Sequence, residues 1–214
     1  MHGMTGTWAA WFRPVRETTT VAQQDPESPS PAASGAVDER ALVARCLAGS
    51  REAFDAIVER HQRAVYRLCY RFVGRHEDAT DLAQEVFLRA YRGLRRFKGD
   101  ASLGTWLYRI GINVCLNRVS SRQPPLVPLG EFRQVRDPAA DPASVLLSAE
   151  RAERVRAAIA QLPPKQRATL ILRVYQDLSH QEISGVLGGS VGSAKANFFH
   201  ALRNLKKILE NDHP

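Results

Sequence analysis

The sequence predicts an all-α protein: two small helical domains joined by a flexible proline-rich linker, the second domain a helix-turn-helix. Three observations predict it. Apolar residues recur at three-to-four spacing, as in Phe54, Ile57, Val58, Val65, Leu68 and Phe72, the signature of a helix with one buried stripe. No run of useful length alternates with period two, so strands are not expected. Between the two helical blocks, Gln123 to Ala143 holds Pro124, Pro125, Pro128, Pro138 and Pro142 and no periodic stripe, which reads as an extended tether.

Residues 1–37 mix Thr, Ser, Pro, Ala and Gln with little periodicity and are expected to form a disordered tail, with Met4 as a second candidate start. The first domain then spans 38–122. A helix from Asp38 stops at Gly49, Ser50 offers the next cap, and Gly74 closes the long helix that carries the Phe54 stripe. Further helices are expected over Glu77–Tyr91 and Leu103–Ser120. The linker occupies 123–147. In the second domain, 148–214, helix resumes near Ser148, breaks at Pro163–Pro164 and restarts with KQRATLILRVYQ.

Charge narrows the class of partner. The chain carries +8. Residues 38–122 hold sixteen Lys and Arg against ten Asp and Glu, and 148–214 hold ten against six, so both helical blocks are basic. A polyanion such as nucleic acid suits that balance. Cys46, Cys69 and Cys115 lie inside helical patterns without a CxxC pair or ligand-spaced histidines, so buried reduced thiols are expected and a metal site is not. No apolar run approaches the length of a membrane span, and WAAWF at Trp8–Phe12 is too short for a signal peptide, which points to the cytoplasm. No GxxxxGK loop is present, so nucleotide hydrolysis and a nucleotide cofactor are not expected.

The carboxyl-terminal fifth, LSHQEISGVLGGSVGSAKANFFHALRNLKKIL, has the order of a helix-turn-helix: a short helix from Leu178–Ser179, a turn at Gly188–Gly189–Ser190, and a longer basic helix. At 100° per residue from Val191, one arc collects Val191, Ala194, Phe198, Ala201, Leu202, Leu205, Ile208 and Leu209 as the core face. The opposite arc collects Ser193, Ala196, Asn197, His200, Arg203, Asn204 and Lys207, flanked by Lys195 and Phe199. Small hydrogen-bonding residues lead and cations follow, which suits a helix whose front enters a major groove.

Two segments of the first domain carry further chemistry. Asp81, Gln84 and Glu85 share one helical patch in a basic domain, fit for docking a basic protein surface or for local salt bridges on a solvated face. In the helix after Phe97, a narrow strip of Trp106, Arg109, Asn113 and Asn117 runs between two apolar stripes. Aromatic stacking with amide edges is how unpaired bases are held; a structural role, with Trp106 in the core and the asparagines on solvent, fits the same residues.

These segments resemble a bacterial sigma factor of the extracytoplasmic-function group, the small two-domain promoter-specificity subunits of RNA polymerase. DLAQEVFLRAY is similar to that family's core-binding helix and TWLYRIGIN to its promoter-melting helix. LPPKQRATLILRVYQDLSHQEIS resembles the start of its second domain, and SVGSAKANFFHALRNLKK its recognition helix. The order and spacing hold from Asp38 to Leu209.

The resemblance implies roles. Asp81, Gln84 and Glu85, with Phe87, would dock on the core RNA polymerase. The loop from Lys98 to Gly104, including Ser102, would join Asn113 in capturing an unpaired base of the minus-ten element, supported by Trp106, Arg109 and Asn117. Ser193, Lys195, Ala196, Asn197, Phe199, His200 and Arg203 would read the duplex minus-thirty-five element. An anti-sigma protein would be a further partner, with no catalytic residue, cofactor or metal. Four positions depart from the family pattern: Leu103 stands where an aromatic is usual, Gly111 where alanine is usual, and Asn197 and His200 where arginines are common. A free-standing helix-turn-helix regulator is the rival reading. A nuclease or recombinase is disfavoured, because Asp78, Asp81 and Glu85 lie on one short helix and are poorly arranged for two metals.

Overall fold

The structure, a computed structural model, describes residues 31–121 and 142–211. Among those residues every regular element is helical. The first lobe holds α1 (Pro31–Leu47), α2 (Arg51–Val73), α3 (His76–Gly93), a 3-10 turn (Leu94–Arg96) and α4 (Leu103–Ser121). The second holds α5 (Pro142–Gln161), α6 (Pro164–Tyr175), α7 (His180–Leu187) and α8 (Val191–Asn211). The expected linker residues 123–141 and most of the expected tail lie outside the described residues.

Local chemistry sets the boundaries. Gly49, at φ 102°, ends α1 in a left-handed conformation. Ser50 then caps α2 by accepting the Ala53 amide at 3.2 Å, and Gly74, at φ 76°, stops it with its amide on the Tyr70 carbonyl. Ser102 caps α4, accepting the Thr105 amide at 3.0 Å. Pro164 begins α6, where a missing N–H costs nothing. Ser179 and Glu182 form a reciprocal capping box on α7. Two starts differ from expectation: α1 begins at Pro31 rather than Asp38, and α5 at Pro142 rather than Ser148. Proline is well tolerated in a first helical turn, so each helix reaches back to one.

The first lobe packs α2, α3 and α4 around Leu68, Phe72, Val86, Leu107 and Ile112, all buried. Here Gly111 has a packing reason. A Cβ at that position would lie 2.8 Å from Leu68 Cδ2, so the missing side chain lets α4 settle on α2. Leu103 is likewise core, 2% exposed, so its departure from an aromatic changes packing rather than a contact surface.

The two lobes pack against each other. Ala168, Ile171, Leu172, Leu178, Ile183 and Val186 of the second lobe join the first lobe's core in one apolar cluster, with α7 lying against α4. Arg167 crosses the junction. Its guanidinium donates to the carbonyls of Phe72 (2.9 Å), Leu162 (3.1 Å) and Ala160, at the carboxyl ends of α2 and α5. Those helix ends carry partial negative charge, which helps hold a buried cation.

Candidate polymerase and promoter interfaces

The α3 surface is narrower in charge and broader in apolar area than the sequence suggests. Asp81 is exposed, and Gln84 and Glu85 are half-buried. Glu85 accepts from Arg89 Nε at 2.7 Å, one turn along, so part of its charge is already matched. Phe87 does not belong to this face: at 3% exposure it packs in the core, between Ala83 and Ala90 on the buried side of α3. The same face instead continues through Leu88, half-buried, to Tyr91, which is 49% exposed with its ring edge on Phe54 at 4.9 Å. Sequence reading missed Leu88 and Tyr91, although they follow Asp81 at i+7 and i+10 and so share its side of the helix. Asp78, one turn before the patch, does not extend it. It is buried and accepts from Arg118 Nη2 at 3.2 Å, tying the start of α3 to the end of α4.

On α4, Arg109, Asn113 and Asn117 are all exposed along one line, as expected. Trp106 is not part of that open strip. It is 9% exposed, with its ring against Phe97 at 5.4 Å and a 56° tilt, so it is a floor beneath the site rather than a free stacking face. Phe97, half-buried, is the more open ring of the two and was missed because it lies before the helix. The preceding loop is shorter than Lys98–Gly104, since α4 already includes Leu103 and Gly104. Lys98 and Ser102 are exposed, but the Ser102 hydroxyl is engaged as the cap of α4 and paired with Thr105 Oγ1 at 2.9 Å. Arg96, Lys98 and Arg109 bring three cations, with Asp100 beside them, to one cavity of about 640 Å³ that Phe97 and Trp106 also line. Its opposite wall comes from the second lobe, through Ser179, Gln181, Glu182 and Gly185.

On α8 the buried side is rotated from its expected position. Ala194 and Ala201 are buried and Asn197, Phe198, Asn204 and Leu205 half-buried, whereas Val191 and Leu202 are exposed. Asn204, expected on the outer arc, donates to Gln166 Oε1 of α6 at 2.9 Å. The open face is therefore centred on Lys195, Ala196, Phe199, His200 and Arg203, and Phe199 is 63% exposed. Ser193 is exposed, although its hydroxyl donates to the Ser190 carbonyl at 2.7 Å. Asn197 leans toward the core side of that face. The turn leading in is fixed by Arg173, which donates to the Leu178 carbonyl at 3.0 Å, and by Gly188 at φ 69°.

Comparison with known proteins decides the family. Residues 57–124 match the family described as Sigma-70 region 2, and residues 152–205 match Sigma-70, region 4. The chain is 35% identical over 181 residues to the RNA polymerase sigma-H factor of Pseudomonas aeruginosa, covering 80% of this chain and 94% of that one. It belongs to the extracytoplasmic-function group of the sigma-70 family. The ECF RNA polymerase sigma factor SigW of Bacillus subtilis is 30% identical over 172 residues, covering 76% of this sigma factor and 92% of that one. Among solved structures, CnrH in complex with the cytosolic domain of CnrY superposes with a TM-score of 0.60 at 25% identity, over 82% of this chain and 99% of that one. RpoE in complex with the anti-sigma factor NepR from Bartonella quintana gives 0.57 at 17% identity, over 75% and 98%, and supports the fold. Matches spanning both lobes favour a sigma factor over a free-standing helix-turn-helix regulator. Among the described residues no helix is long and apolar enough to cross a membrane.

Proposed function

We propose that this sigma factor directs core RNA polymerase to specific promoters and nucleates strand opening, dividing the work among three surfaces. The outer side of α3, from Asp81 through Glu85 and Leu88 to Tyr91, docks the polymerase, with apolar contact at its centre and charge at its amino-terminal end. Interfaces with an aromatic anchor inside a polar rim have this composition. The α4 strip holds unpaired bases of the minus-ten element: Asn113 and Asn117 present amide edges, while Lys98 and Arg109 meet phosphates. Extruding a base costs a few kcal/mol, which those contacts offset. The open face of α8 enters the duplex at the minus-thirty-five element, with Phe199 and Ala196 against thymine methyl groups and Arg203 and Lys195 toward guanine edges or phosphates.

The observation that carries this reading is the exposed line Arg109–Asn113–Asn117, whose Arg109 end shares a cavity with Arg96 and Lys98, in a chain whose second lobe presents a separate exposed helix face. The sigma factor acts through binding, without a catalytic residue, cofactor or resident metal of its own, and works in the cytoplasm. An anti-sigma protein covering these surfaces is its expected inhibitor. Charge reversal at Asp81 together with Tyr91→Ala tests the docking surface. Association with core polymerase in a co-purification or anisotropy titration should weaken at least tenfold, and unchanged association removes the assignment.

A further inference from the structure

We propose that the outer ridge of α2 is a further, sequence-independent contact with nucleic acid, a track of arginines that follows the phosphates of duplex DNA. Charge is segregated along this helix. Glu52, Asp55 and Glu59 fall in its first part, whereas residues 60–73 hold Arg60, Arg63, Arg67 and Arg71 and no acid. At about 100° and 1.5 Å per residue, those four lie within about 80° of one another and span about 16 Å along the axis, close to one turn apart. The structure turns them away from the core. Val65, Leu68 and Phe72 are fully buried, while Arg60, Arg63 and Arg67 are exposed. Among the described residues neither Arg63 nor Arg67 has a hydrogen-bond or ion-pair partner. Glu59, exposed one turn before Arg63, forms no ion pair with it, and Glu153 of α5, close to Tyr70 of α2, is taken by Arg156. Arg71 ends the track, its direction fixed by a guanidinium 4.0 Å from the Tyr175 ring centroid of α6. A row of like charges at this spacing opposes the helix that carries it, a repulsion that phosphates relieve.

The chemistry of the ridge selects the partner. A protein interface is anchored by a desolvated apolar or aromatic centre, and between Arg60 and Arg71 the only other residue on this arc is Ala64. A single strand is held by stacking on open rings. Here the nearest rings are engaged: the Tyr66 hydroxyl is bound to His76 Nδ1 at 2.7 Å, and Tyr175 faces Arg71. Duplex phosphates need neither an apolar anchor nor a ring. Regularly spaced cations on a rigid helix suffice, and they position the duplex without reading its sequence.

The double variant Arg63→Gln/Arg67→Gln tests this in the full-length chain, since glutamine keeps the helix propensity of arginine. Helix content by circular dichroism should match the wild type. Anisotropy with a fluorescein-labelled random-sequence duplex of about 30 base pairs, over about 50 to 200 mM KCl, gives the slope of log affinity against log salt. That slope should become shallower by about 2, and affinity at about 0.1 M KCl should fall about five- to fiftyfold. Arg45→Gln/Arg51→Gln removes the same charge from exposed positions off the ridge and should leave the slope unchanged. An unchanged slope in the ridge variant, or an equal loss in both variants, overturns the track. So does weaker co-purification of the ridge variant with core polymerase at an unchanged DNA slope, which assigns the ridge to an acidic protein surface. The surfaces proposed on α3, α4 and α8 carry none of these arginines and fall separately, if the wild type gives no promoter-dependent transcription with core polymerase.

Discussion

Phe199, proposed as a base contact, is exposed enough for its role in binding to be separated from any role in folding. With 63% of its surface open, its truncation to alanine removes few contacts, and the melting temperature should hold within the shift expected for about 0.5 kcal/mol. Promoter affinity of the holoenzyme should fall by about 1–3 kcal/mol, the range for spoiling the recognition of one base pair. Loss of stability with intact promoter binding would place Phe199 in the fold instead. Gly111 is the opposite case. Alanine there gains about 1 kcal/mol of helix propensity but drives a Cβ against a buried leucine, at a typical overpacking cost of about 1–3 kcal/mol. Gly111→Ala should therefore lower stability by about 1 kcal/mol in urea titration, and a stabilised variant would contradict the tight α2–α4 contact. These two residues also mark what was legible. The motif strings located α3, α4 and α8, yet Phe87 and Trp106 proved to be core, because which side of a helix is covered depends on neighbours that a local string does not contain.

At the scale of elements, caps and glycine stops were readable because their chemistry is local. Ser50, Gly74 and Ser179 all sit at the ends the sequence assigns them. The phase of α8 was less readable, since α6 takes Asn204 as a hydrogen-bond partner and turns the helix away from the arc with the most apolar residues. The α1 helix adds a pH-sensitive clamp. His61 of α2 is enclosed near Gly104, and its Nε2 lies 3.1 Å from Glu39 Oε1. Burial pulls the His61 pKa below its usual 6.5, with Arg60 adding to that effect and Glu39 opposing it. A depressed folded-state value means that the unfolded chain takes up the proton first as pH falls. The stability tied to His61 is thus full above about 6.5 and is lost progressively below it. Melting temperature should drop between about pH 7.5 and 5.5 by more in the wild type than in His61→Gln, and parallel curves would exclude the clamp.

At the scale of the molecule, two basic lobes and their order were evident from charge and periodicity, whereas their packing onto each other was not. Nothing in a tethered pair of amphipathic bundles announces that Leu178, Ile183 and Val186 complete a neighbour's core, because each is equally at home inside its own lobe. The sigma factor's function requires the three surfaces to act in one complex. The most direct test is to map the 5′ ends of transcripts made by bacterial core polymerase on genomic DNA, with and without this chain. Discrete start sites should appear only with the chain, each preceded by the same two sequence elements at fixed spacing, and Asn113→Ala should suppress strand opening at those sites. An identical transcript profile in the presence and absence of the protein would contradict the account.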